Sequence, residues 1–145
     1  MRREWIRRSV LRAIEIEAHL REYVIGQDEA IRTLSVAAAQ HYARGSYGGT
    51  TPLRKANVLI AGPSGSGKTQ MVRALSQLLD VPFASISAPS ITQPGFTGLD
   101  PDTVLQMLYA KDPENAERGI AFIDEIDKIA RKSTDDDDKG KNLTT

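Results

Sequence analysis

Residues Gly62-Pro63-Ser64-Gly65-Ser66-Gly67-Lys68-Thr69 read G-x-x-x-x-G-K-T and follow an apolar run, Val58-Leu59-Ile60-Ala61. No other stretch of the chain narrows its fold as much. A strand that delivers this loop and a helix that leaves it would gather the loop's backbone N–H groups around a phosphate at a helix N-terminus. The glycines allow backbone conformations and a close approach that side chains would block. Lys68 supplies a mobile positive charge for the β- and γ-phosphates, and the Thr69 hydroxyl supplies a ligand for Mg²⁺. The alternative is a Gly/Ser-rich turn before an ordinary helix. It does not account for the preceding strand together with the complete G-K-T ending.

The chain has 145 residues, enough for one domain with a real core. Its 19 Lys and Arg balance its 19 Asp and Glu, so nothing global points to nucleic acid or to an acidic membrane surface. The absence of cysteine excludes disulfides and Cys-based zinc sites and fits a reducing, cytoplasmic setting. The basic start, Met1 to Arg8, is followed by no uninterrupted apolar segment, so it is not a secretory signal. Glu4, Glu15 and Glu17 speak against an organellar transit peptide. The apolar stretches fall far short of the ~20 residues that cross a bilayer. A soluble protein is expected.

Along the chain, the spacing predicts a helix over 3–20 with Ile6, Val10, Ala13, Ile14 and Glu17 on one face. A second helix is expected over 27–44. Gly26 can start it, Asp28 and Glu29 sit at its positive end, and Ile31, Leu34, Ala38 and His41 or Tyr42 face inward. Residues 45–52 read as a flexible linker. From Asn57 the pattern alternates between strand and helix. Strands are expected over 58–61, 82–87 and 120–123, with a helix over 68–79 that buries Met71, Val72, Leu75, Leu78 and Leu79. Residues 89–98 read as loop, and Asp100-Pro101 as the start of a further helix. Ile120 to Ile123 is apolar throughout, as in a parallel strand covered on both faces. Strands separated by helices imply a parallel α/β sheet. The division expected is a helical segment and linker over 1–52, a P-loop α/β core over 53–132 and an acidic flexible tail over 133–145.

The run Ile120-Ala121-Phe122-Ile123-Asp124-Glu125 ends an apolar strand in two carboxylates. Ligands of parallel sheets bind at the carboxyl ends of the strands, which predicts these acids beside the loop. Asp124 would hold Mg²⁺, directly or through water. Glu125 would orient and deprotonate the water that attacks the γ-phosphate. A kinase needs no such acid, because a substrate hydroxyl is its nucleophile, so the pair favours hydrolysis. Alone the pattern is weak; about 55 residues after a phosphate loop it is strong, because both halves predict one site.

Here the residues resemble a known family, the AAA+ protein unfoldases. Tyr23-Val24-Ile25-Gly26-Gln27-Asp28-Glu29-Ala30 is similar to the family segment that lines the adenine pocket. Residues 62–69 match its Walker A motif, Leu79-Asp80-Val81-Pro82-Phe83 the entry to its second strand, and Arg118 to Ser133, including Asp124-Glu125-Ile126-Asp127-Lys128-Ile129, its Walker B region. The resemblance runs from about Glu22 to Ser133 and covers most of the chain. It implies a P-loop NTPase of the AAA+ large-subdomain type that binds ATP with Mg²⁺. Gly62, Pro63, Ser64, Gly65, Ser66, Gly67, Lys68, Thr69 and Gln70 would contact nucleotide, with Val24 and Ile25 at the base. Thr69 and Asp124 would serve the metal, and Lys68 and Glu125 catalysis. It further implies substrate polypeptides, a homo-hexameric ring and a Clp-type peptidase partner.

Two departures qualify that reading. The family's axial pore loop is usually Gly-Tyr-Val-Gly, and the matching stretch is Gly95-Phe96-Thr97-Gly98. Phe96 keeps an aromatic face, while Thr97 adds a hydroxyl where the family has an apolar grip. The sheet of such a domain also needs more strands than this sequence supplies. The chain therefore reads as a P-loop core truncated after the Walker B strand, without the arginine finger, sensors and lid. Two alternatives stay open: a non-catalytic nucleotide-binding or ring-capping module, and a small P-loop kinase, which Glu125 disfavours.

Overall fold

A computed structural model describes residues 11–46, 57–90 and 102–128. The chain divides into two compact units, Met1–Asp80 and Val81–Thr145.

Among the described residues the first unit holds three helices: α1 (Ala13–Tyr23), α2 (Asp28–Ser46) and α3 (Lys68–Leu79). Both α2 and α3 contact α1. Helix α1 starts later than its periodicity suggests. Arg12 is extended, at φ −75° and ψ 148°, and its backbone N–H donates to the Glu15 carboxylate at 2.8 Å. That bond, with the Glu15 N–H donating to the Arg12 carbonyl at 2.9 Å, fixes a helix start at Ala13. The helix face shifts with it. Ile16 and Leu20 are fully buried, whereas Ile14, expected inside, is 66% exposed. The expected face was anchored on Ile6 and Val10, which lie outside the described residues and before the break at Arg12. Leu20 and Val24, four residues apart, continue the true buried row with Ile16.

Gly26 has φ +79°, a left-handed turn that suits glycine and lets α1 and α2 follow one another within a few residues. The first bond of α2 runs from the Ile31 N–H to the Gln27 carbonyl at 2.9 Å. Ile31, Leu34 and Ala38 are buried as expected. Ser35 joins them; its hydroxyl donates to the Ile31 carbonyl at 2.7 Å, so the polar atom is satisfied inside. Arg21 bonds the Glu17 and Asp28 carboxylates, linking the two helices across their joint. Helix α3 spans the residues expected of it. It buries Met71, Val72, Ala74, Leu75, Ser76 and Leu79, with Leu78 half-buried, and ends on a left-handed Asp80.

Residues 58–61 do not form the expected strand. Val58 is half exposed and Leu59 82% exposed, and no described residue pairs with them in a ladder. An apolar run becomes a strand only where a neighbour takes its backbone groups.

The second unit holds β1 (Phe83–Ser87), a short 3-10 turn at Ala88–Ser90 where loop was expected, α4 (Asp102–Lys111), a second 3-10 turn at Ala116–Arg118 and β2 (Ile120–Asp124). The strands pair in parallel, with Phe83 opposite Ile120 and Ser87 opposite Asp124. A parallel pair requires a crossover, and α4 lies within it. Ala84, Ile86, Val104, Leu108 and Ala116 form the core of this unit. Gly119 is there for space: a Cβ on it would fall 2.9 Å from Leu108 Cδ2 and 3.0 Å from the Ala116 carbonyl oxygen. Among the described residues β2 is not covered on both faces, for Ile123 remains 45% exposed. The fold class is α/β, a parallel sheet with flanking helices. The expected cap at Asp100-Pro101 lies outside the described residues, as does the boundary at 52/53. No described helix is long and apolar enough to cross a membrane.

The revised face of α1 separates two substitutions. Leu20→Ala should lower unfolding free energy by ~2–5 kcal/mol, and Ile14→Ala by less than about 0.5 kcal/mol, as measured by urea denaturation followed by circular dichroism.

Candidate nucleotide site

Each unit carries one half of the sequence-derived site. In the first, the loop from Gly62 to Gly67 bends through two left-handed glycines, Gly65 at φ +80° and Gly67 at φ +87°. Gly67 is the residue from which α3 starts: its carbonyl accepts the Met71 N–H at 2.9 Å, and no side chain caps the helix. Helix N-termini carry unsatisfied N–H groups and partial positive charge. An uncapped start behind a glycine bend is suited to an anion. The Ser66 N–H donates to the Pro63 carbonyl at 3.3 Å, closing the tip of the loop. Lys68 Nζ donates to the Gly62 and Pro63 carbonyls at 2.8 Å each, so its ammonium lies over the loop. Pro63, Ser64 and Gly65 are exposed, and Ser66 and Thr69 half-buried.

The end of α1 meets the same loop. Val24 is buried, and its Cγ1 lies 3.5 Å from where a Cβ on Gly67 would be. Gln70 Nε2 donates to the Tyr23 carbonyl at 2.8 Å. Ile25, the other residue expected at the base, is 95% exposed. The first unit thus brings Val24 and Gln70 together with the phosphate loop.

In the second unit, Asp124 ends β2 and Glu125 turns away from it at φ +58°, unusual for a residue with a side chain. The Asp124 carboxylate accepts the Glu125 N–H at 2.8 Å, which holds that turn. Glu125 is itself held from two sides. The Ser87 hydroxyl donates to its Oε2 at 2.9 Å, and Lys128 Nζ donates to its Oε1. The Lys128 ammonium foremost, and then the Ser87 hydroxyl, keep the Glu125 carboxyl below the usual carboxylate range. At neutral pH it is an ionised acceptor whose direction those two bonds fix. Ser87 escaped the sequence reading. Its role depends on strand register, which sets it opposite Asp124. Lys128 was detectable, since Glu and Lys three apart on a helical turn face each other. Gly95, Phe96, Thr97 and Gly98 lie outside the described residues.

A glycine-rich loop that opens a helix, in the first unit, and a parallel strand ending in paired acids, in the second, are features of the P-loop α/β fold class. The match to a family model agrees: residues 58–144 fit "ATPase family associated with various cellular activities (AAA)", and the chain belongs to that family. Within it the chain is similar to ClpX, the ATP-binding subunit of the ATP-dependent Clp protease. It is 46% identical to the Porphyromonas gingivalis protein over 135 residues, covering 88% of this chain and 32% of that one. It is 43% identical to the Azotobacter vinelandii protein over 132 residues, 83% and 30% of the two chains. It is 46% identical to the Treponema denticola protein over 125 residues, 82% and 30%. The chain spans about a third of the length of these relatives.

Lys128→Met should raise the Glu125 pKa toward the ordinary carboxylate value, because the largest influence holding it down is removed. The carboxyl carbon shift of Glu125, followed by NMR through an acid titration, measures this. In the parent chain the group stays ionised to lower pH.

Proposed function

We propose that this chain is the nucleotide-binding part of a ClpX-like AAA+ unfoldase, and that it binds ATP with Mg²⁺. The observation that carries the reading is the uncapped start of α3 behind two left-handed glycines, with the Lys68 ammonium over the loop. The residues suit the ligand: a cradle of backbone N–H groups, one mobile cation, and a hydroxyl at Thr69 with a carboxylate at Asp124 for a hard metal. When bound, Mg²⁺ neutralises charge on the β- and γ-phosphate oxygens. Lys68 exchanges its two carbonyl acceptors for phosphate oxygens. Glu125, ionised and oriented by Ser87 and Lys128, takes a proton from the attacking water. Val24 and Ile25 flank the base. Gly62 to Gln70 line the phosphates.

The wider reading follows the relatives. Hydrolysis in a homo-hexameric ring would pull substrate polypeptides through a central pore, gripped by Phe96 in the Gly95–Gly98 loop, and deliver them to a Clp-type peptidase in the cytoplasm.

Two substitutions test the core of this reading by isothermal titration calorimetry and phosphate release. Lys68→Ala should abolish measurable ATP·Mg²⁺ binding. Glu125→Gln should bind within about threefold of the parent and lose whatever hydrolysis the parent shows. Unaltered ATP binding by Lys68→Ala would remove the reading at its first step.

A further inference from the structure

The last turn of a helix leaves carbonyl groups without intrahelical partners, and something must satisfy them. In α1 the Leu20 carbonyl takes the Val24 N–H at 3.0 Å. The Tyr23 carbonyl, at the last residue of the helix, is taken by a side chain 47 positions away: Gln70 Nε2, at 2.8 Å. Gln70 stands in the first turn of α3, two residues after Lys68 and next to Thr69. Val24 and Ile25 follow Tyr23 directly, and Val24 Cγ1 lies 3.5 Å from where a Cβ on Gly67 would be. One carboxamide therefore joins the segment assigned to the base to the turn assigned to the phosphates.

We propose that the Gln70 side chain is a positioning residue that fixes the base-side segment, Tyr23 to Ile25, relative to the phosphate loop. This rests on the nucleotide reading above. Gln70 touches no reacting atom through its side chain; its backbone N–H belongs to the cradle and is present whatever the side chain. Ile25 is almost wholly exposed, so packing does little to hold it. The carboxamide bond thus sets where the base-side wall stands. Losing it loosens the exposed end of that wall, while Val24 stays packed beside Gly67 and the loop keeps its bends at Gly65 and Gly67 and its Pro63–Ser66 bond.

The consequence is a split between ligands. ATP uses both the base wall and the phosphate loop, while inorganic tripolyphosphate uses the loop alone. A single intramolecular hydrogen bond contributes enough for a change of roughly three- to tenfold. Gln70→Leu, which keeps bulk and loses the donor, should weaken ATP·Mg²⁺ by that factor and leave tripolyphosphate·Mg²⁺ within about twofold. Gln70→Asn, which keeps the amide but is one methylene too short, should behave the same way. The measurement is calorimetric or NMR titration of the parent and both variants with each probe. Equal losses for the two ligands, or no loss for either, would overturn the proposal while leaving nucleotide binding intact. A parent chain that takes up neither probe would instead remove the nucleotide reading, and the proposal with it.

Discussion

The start of α3 is the constraint on which the first unit turns. A helix that begins at Lys68 with no side-chain cap has N–H groups aimed at whatever lies ahead of it. In most proteins a Ser, Thr, Asp or Asn takes that place. Here the position is Gly67, in a left-handed conformation that a side chain would oppose by ~1–2 kcal/mol. The sequence has given up a cap and kept a bend. Such a start is suited to an external anion. The packing supports the same position from behind: α3 buries six residues and touches α1, so the helix start is held by a core and not by the loop.

The second unit solves a different problem, the direction of a carboxylate. Strand β2 stops at Asp124, whose side chain accepts the N–H of the next residue and so stabilises its left-handed turn. Glu125 then projects to where Ser87, from the neighbouring strand, and Lys128, from the turn that follows, can both donate to it. Two donors on one carboxylate favour its charged form and reduce its rotational freedom. A group so restrained is an ionised acceptor with a fixed direction, and the same two donors that fix it lower its basicity.

Much of this was legible in the residues. The G-K-T loop, the helix after it, the 82–87 strand and the acid-ended strand could all be read because each combines a local pattern with a local physical cause. What could not be read depended on partners distant in sequence. Residues 58–61 have a strand's composition, but a strand is a relation between two segments, and none of the described residues supplies the second. The face of α1 was misjudged because Ile14 and Ile16 are equally apolar, and only the cap at Arg12 and the packing on α2 and α3 choose between them. Ser87 became visible once register set it opposite Asp124, and the bond of the Gln70 carboxamide to Tyr23 depends on a partner 47 residues away.

The central claim is that the backbone between Gly65 and Gln70 receives the phosphates of a nucleoside triphosphate. Backbone amide NMR of the isotopically labelled chain, titrated with ATP·Mg²⁺, addresses it most directly. The account predicts saturable shifts concentrated at the amides of Gly65, Ser66, Gly67, Lys68, Thr69 and Gln70, with smaller ones at Val24 and Ile25. Shifts absent from these amides at millimolar ATP, or saturating elsewhere in the chain while these stay still, would contradict it.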